Sequence, residues 1–250
     1  GTPRLVAIDL LTDEVVHDHL FDNGAAPGGS FLQDLQVSPD GRTVFIADVS
    51  FWRKQPAIVV HDVATATDRR VLERHPSVSA QDWINRTPAK KMTFFGGLAA
   101  MKPGIDGIAV TPDGFWLAYG AMSHDTLYRV PTAALLNSSL GDAAVASKVE
   151  AIGSKPLSDG LSADFEGGVW ITDVEHGAVL RMAPDGTLQT WVETPRIRWA
   201  DALSFGPDGW LYLADSAIPD QVMRSKRHIA SQAPYYIFRF RPGVEGVPGH

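Results

Sequence analysis

The stretch Leu157-Ser-Asp-Gly-Leu-Ser-Ala-Asp-Phe-Glu-Gly-Gly-Val-Trp-Ile-Thr-Asp-Val-Glu-His-Gly-Ala-Val-Leu-Arg-Met182 decides the fold. A carboxylate, Asp159, precedes a short apolar strand. A tight turn follows at Asp164–Gly168. A second strand, Val169–Thr172, ends in a polar cluster of Asp173, Glu175 and His176. A third strand, Ala178–Met182, enters the turn Pro184-Asp185-Gly186, and a fourth, Thr187–Val192, closes the unit. Four short strands joined by tight turns predict one antiparallel meander.

The same statement recurs elsewhere in the chain. Gln33-Asp-Leu-Gln-Val-Ser-Pro-Asp-Gly41 leads into Thr43–Ala47 and then Ile58–Asp62. Asp106-Gly-Ile-Ala-Val-Thr-Pro-Asp-Gly114 leads into Phe115–Tyr119 and then Thr126–Val130. Asp201-Ala-Leu-Ser-Phe-Gly-Pro-Asp-Gly209 leads into Trp210–Ala214. Aligned on the turn after the first strand, one column reads Gln33, Asp106, Asp159, Asp201. Four copies of a four-stranded unit predict an all-β chain, a β-propeller of four-stranded antiparallel blades.

Around these copies the chain reads in order. Arg4–Asp9 and Glu14–Phe21 form a hairpin, in register with the third and fourth strands of a blade. The first full blade runs from Phe31 to about Leu72. Between Glu73 and Gly104 the period breaks, in a segment carrying Lys90-Lys91, Phe94-Phe95 and Gly96-Gly97. So long an interruption in a compact repeat suggests a lid or rim, or aromatics packed on a blade edge. Pro131–Asn137 predicts a short surface helix, and Lys148–Ile152 the fourth strand of its blade. Pro219–Gln232 reads as a solvated polar insertion, Tyr235–Arg241 as a last strand, and Gly243–His250 as a frayed tail. The count is four blades and a half in one domain, residues 1–250. A propeller closes to remove its sheet edges. The expectation is therefore that about one and a half N-terminal blades are missing, or that a partner fragment supplies them.

Composition narrows the function. The formal net charge is −7, which argues against nucleic acid as a partner. No apolar run approaches the roughly 20 residues of a membrane span. The chain has no cysteine, so disulfides and thiolate metal sites are excluded.

Strand alternation places the chemistry. Two reversals return the end of a second strand to the face where the first began. Gln33, Asp106, Asp159 and Asp201 should then ring one mouth of the central channel. They share that face with Asp48, Asp173, Asp215, His124, Glu175 and His176, and the Pro-Asp-Gly turns lie opposite. Facing carboxylates raise each other's pKa or recruit a cation. One divalent metal, calcium or else zinc or manganese, held by Asp106, Asp159 and Asp201, is one reading. It would polarise a lactone carbonyl and activate water. A second is a binding module, with Gln33, Asp106, Asp159, Asp201, His124 and Glu175 as ligand-binding residues. A cationic aromatic amine would then stack on rim aromatics such as Phe51, Trp52, Phe94 or Phe95. A third is isomerisation of an aromatic substrate with His176 or His124 as acid or base. The bland alternatives are that column aspartates cap backbone amides and His176 ties its turn to the next blade. Asp48, Asp173 and Asp215 read as blade-to-blade hydrogen-bonding residues. Trp116, Trp170 and Trp210 read as inter-blade core.

Several segments resemble the Yellow/major royal jelly protein family in its bacterial branch. They are Tyr128-Arg-Val-Pro-Thr-Ala-Ala-Leu-Leu136, Thr172-Asp-Val-Glu-His-Gly-Ala-Val179, Trp199-Ala-Asp-Ala-Leu-Ser-Phe-Gly-Pro-Asp-Gly209, and the run from Phe31 to Val63. The resemblance covers Arg4 to Arg241. It implies a six-bladed propeller within the gluconolactonase-like superfamily, with about four and a half blades in this chain. It also implies a secreted or periplasmic setting. Family members include dopachrome-converting enzymes, amine binders and storage proteins, and gluconolactonases carry a divalent metal at the axis together with a glutamate from an early blade. One departure is Gln33-Asp34, where the family often has Asn-Asp.

Overall fold

In a computed structural model, which describes residues 2–250, each copy of the repeat is a separate antiparallel sheet. A hairpin, β1 (Arg4–Ile8) and β2 (Val15–Leu20), comes first. Blade one contains β3 (Leu32–Val37), β4 (Thr43–Asp48), β5 (Ala57–Asp62) and β6 (Thr67–Val71). A small hairpin, β7 (Thr93–Phe94) and β8 (Ala99–Ala100), lies in the long interruption. Blade two contains β9 (Ile105–Val110), β10 (Trp116–Ala121), β11 (Thr126–Pro131) and β12 (Glu150–Ser154), with helices α1 (Thr132–Leu136) and α2 (Asp142–Ala146) before its outer strand. Blade three contains β13 (Leu161–Ala163), β14 (Val169–Asp173), β15 (Ala178–Met182) and β16 (Leu188–Glu193). Blade four contains β17 (Ala200–Phe205), β18 (Leu211–Asp215) and β19 (Ile237–Phe240), with α3 (Ile218–Gln221) and α4 (Lys226–Ser231) between the last two strands.

Turn chemistry sets the register of the first two strands. Ser38 Oγ donates to Asp40 at 2.6 Å and Thr111 Oγ1 to Asp113 at 2.6 Å. Each aspartate also accepts a backbone N–H two residues on. Gly41 and Gly114 follow with φ of 71° and 74°, a conformation that costs glycine nothing.

The core lies between blades. Phe45 and Ile58 of blade one pack on Ile108, Leu117 and Tyr119 of blade two. Ala109 and Leu127 meet Leu161 and Ile171 of blade three, and Trp170 meets Leu203, Phe205 and Leu213 of blade four. Leu5 and Phe21 of the N-terminal segment pack on Val44, Ile46 and Val59. β9 lies against β3 and β13, and β17 against β13, so first strands are innermost.

The architecture corrects several expectations. The described residues form four blades, the fourth of three strands, and the hairpin β1–β2 stands as a two-stranded sheet; a six-bladed ring with four and a half blades is not what these residues display. Residues 243–250 are docked rather than frayed. Phe165 N donates to Glu245 O, Phe205 N to His250 O and Ser162 Oγ to His250 O. The 219–232 insertion is two short helices, because Ser225 caps α4 and Ile218 packs inward. Trp170 is fully buried, whereas Trp116 and Trp210 lie under the guanidinium groups of Arg129 and of Arg239 and Arg241. Among the described residues no helix is long and apolar enough to cross a membrane.

Candidate functional site

The first strands break register where the column residues sit. Leu32 pairs with Asp48 but Leu35 with Ile46; Ile105 pairs with Ala121 but Ile108 with Tyr119; Ala200 pairs with Asp215 but Leu203 with Leu213. Each case inserts one extra residue on the inner strand, a β-bulge that re-aims side chains. In blade three the corresponding pair, Asp159-Gly160, precedes β13. The Thr172 hydroxyl accepts from both of its N–H groups.

Glycine after the aspartate brings neighbouring blades together at the axis. A Cβ on Gly107 would lie 2.4 Å from the Asp159 carbonyl oxygen, and one on Gly160 2.3 Å from that of Asp201. Close approach of the backbones delivers the aspartates of three blades to one place.

There they line a cavity of about 140 Å³ with Gln33, Asp34 and Gln36. Asp34 joins blades one and two by accepting from Ile108 N at 3.0 Å. Trp199 Nε1 donates to Asp159 Oδ2 at 2.6 Å. The Oε1 of Gln36 is buried without a partner. Burial pushes Asp34 up to about 6. Asp106 and Asp159 are pushed well above the usual carboxylate range, first by burial and then by neighbouring carboxylates. Asp201 is raised by burial. Close by, the buried Lys155 ammonium donates to the carbonyls of Ala121, His124 and Pro156, using all three N–H groups. Burial pushes it down to about 7.

An apolar cluster that includes Trp199 borders this end. Met92 of the long interruption is fully buried against Met122, Leu157, Val174 and Trp199, with Phe94, Met101 and Ile218 at the edge. Arg86 N donates to Glu175 and Gln81 N to Ser123 O, which fastens the segment to the loops of blades two and three.

The structure therefore brings together Gln33, Asp106, Asp159 and Asp201, and leaves other candidates elsewhere. His124 is buried beside Tyr128 and accepts from Thr126 N. Glu175 and His176 border a different crevice, with Pro88, Arg198 and Asp220. The His176 ring is 66% exposed, and its Nδ1 meets Asp173 at 2.8 Å, which raises its pKa. His124, Glu175 and His176 all lie off the axial cavity. Phe51, Trp52 and Phe95 do too; Trp52 is 81% exposed and Phe95 68%. Asp48, Asp173 and Asp215 cap N–H groups within their own blades rather than between blades. Asp34, Gln36 and Trp199 are the site residues that sequence reasoning passed over. Asp34 was hidden because strand alternation turns it away from Gln33, and only the bulge brings both to the cavity.

A family model described as major royal jelly protein matches residues 1–192. A Pseudomonas putida protein, 6-deoxy-6-sulfogluconolactonase, is 29% identical over 113 residues, 44% of this chain and 38% of the relative. The chain thus spans less than half the length of that relative. Among solved structures, a luciferin-regenerating enzyme superposes with a TM-score of 0.64 at 13% identity, covering 98% of this chain and 73% of the other. A Xanthomonas campestris gluconolactonase superposes with 0.53 at 16% identity, covering 84% and 61%. At such identities these two likenesses establish the fold.

Proposed function

This chain belongs to the major royal jelly protein family, and from that premise we propose that its axial cavity binds one divalent cation and a small polar lactone for hydrolysis. One observation carries the proposal: Asp34, Asp106, Asp159 and Asp201 line one cavity with Gln36, whose buried Oε1 has no partner. Unneutralised, so many carboxylates repel one another. The lining donors are all oxygens, which suits a hard ion, calcium ahead of zinc or manganese.

Asp106, Asp159 and Asp201 would hold the ion, with Gln33 and Gln36 offering neutral oxygens. When bound, the ion supplies Lewis acidity toward a carbonyl oxygen. The remaining work falls to the chain's own side chains. Trp199 orients Asp159. Asp34, raised to about 6, is poised to take a proton from an attacking water near neutrality. The name of the Pseudomonas putida relative supports the lactone class. To the same proposal belongs a secreted or periplasmic location.

The test is hydrolysis of sugar lactones followed by pH-stat, with chelator and with calcium restored. Loss with chelator and recovery with calcium are expected, with both absent in Asp159→Asn. Rates equal to buffer under every condition would overturn the hydrolase reading. If calorimetry then still detects lactone binding, the protein is a binding module instead.

A further inference from the structure

Away from the axis, four side chains meet where the N-terminal hairpin crosses the outer half of blade one. His17 and His19 are two apart on β2 and so point to one face. His61 on β5 and Asp68 on β6 are direct cross-strand partners. His61 Nδ1 lies 2.8 Å from Asp68 Oδ1, and His19 Nε2 lies 2.7 Å from Asp68 Oδ2. The second nitrogen of His61 faces His17, with the two Nε2 atoms 3.1 Å apart. His61 is fully buried, and ligand atoms of His19, His61 and Asp68 all fall within 4.8 Å of one another.

We propose that His19, His61 and Asp68, with His17 behind His61 as a positioning residue, form a zinc-class transition-metal site that staples the β1–β2 hairpin to blade one. Imidazole and carboxylate donors suit zinc, cobalt or nickel, unlike the oxygen-lined axial cavity. Zinc–nitrogen bonds of about 2.0–2.1 Å place neighbouring tetrahedral donors about 3.3 Å apart, about half an ångström beyond the His61–Asp68 and His19–Asp68 separations of 2.8 and 2.7 Å. His61 Nε2–H can donate to His17 Nε2 at 3.1 Å, which holds the ring and leaves Nδ1 to the metal beside Asp68, as outer partners do behind metal-bound histidines. Without a metal, the same groups make a hydrogen-bonded chain, so the site is preformed. Its donors come from two separate sheets. Binding therefore reinforces the Leu5 and Phe21 packing and the hydrogen bonds that already join these elements.

The experiment titrates zinc into the desalted protein in excess calcium, which occupies any oxygen-lined site. Free zinc is read with a competing chromophoric chelator. The account expects one zinc per chain, binding at least about 100-fold weaker in His61→Gln and about tenfold weaker in His17→Ala. Saturating zinc should raise the unfolding temperature by about 5 °C in the wild type and not in His61→Gln. Cobalt(II) should give the intense visible bands of a tetrahedral ion. If His61→Gln does not fold, His17→Ala, on a partly exposed hairpin residue, carries the comparison. No zinc uptake, or equal uptake by wild type and both variants, overturns the site. Because calcium is saturating throughout, failure here leaves the axial proposal standing, and the reverse holds too.

Discussion

Trp199 and Asp159 are joined across a blade boundary: the indole N–H donates to the carboxylate at 2.6 Å. Trp199 is also fully buried in the apolar cluster with Met92. One side chain therefore links that cluster to the acidic cavity. Trp199→Phe keeps most of the packing and removes the donor, leaving a buried carboxylate oxygen without its partner. Chemical denaturation should show a loss of about 1–3 kcal/mol, and calcium affinity should fall because Asp159 is no longer oriented. Unchanged stability and affinity would show the link to be incidental.

Gly160→Ala tests the close approach of blades three and four. The added Cβ would sit 2.3 Å from the Asp201 carbonyl oxygen and 2.9 Å from the Cα of Ala202. Backbone cannot move aside as a flexible side chain does, so the cost should be about 1–3 kcal/mol or more. Thermal unfolding measures it. A neutral result would mean that the inner strands do not lie this near each other.

Met92→Ala removes a buried side chain of that cluster. Deleting such a side chain costs about 2–5 kcal/mol when the site cannot collapse. The effect should concentrate in the segment itself. Hydrogen exchange should speed at the Met92 and Met101 amides, which bond to Asn85 O and Met92 O. Amides of β14 in blade three should stay protected. Uniform acceleration across the blades would contradict a separately opening segment.

His176 supplies a pH signature. Its hydrogen bond and charge pairing with Asp173 raise its pKa above 6.5. The folded state therefore binds more protons than the unfolded state just above pH 6.5. The stabilisation is complete below 6.5 and lost as pH rises through the folded value. The ring is exposed, so the effect should stay below about 1 kcal/mol. His176→Gln should flatten the stability profile in that window and leave lactone turnover intact. Turnover abolished by this change would restore His176 as an acid or base at the axis.

Much of this molecule is legible in its repeat. The Pro-Asp-Gly turns fix where first strands end, and strand alternation then puts Asp106, Asp159 and Asp201 on one channel mouth. What alternation cannot show is a bulge, and Asp34 reaches the cavity only because β3 carries one between Leu32 and Leu35. The same pattern placed His176 on the correct face but gave no radial position; a turn after the second strand lies too far out to meet the axis. Trp199 escaped notice because it sits in a connection rather than a strand, where no periodicity marks burial. His19, His61 and Asp68 are far apart in sequence and meet only when one sheet packs on another.

The central claim is a cation at the axis. The most direct measurement is calorimetric titration of calcium into chelator-treated protein, beside Asp159→Asn. One calcium per chain is predicted for the wild type and none for the variant. In chelator the variant should also unfold at a higher temperature than the wild type, because a mutually repelling carboxylate has been neutralised. Equal calcium binding by both proteins, or no binding by either, would contradict the account.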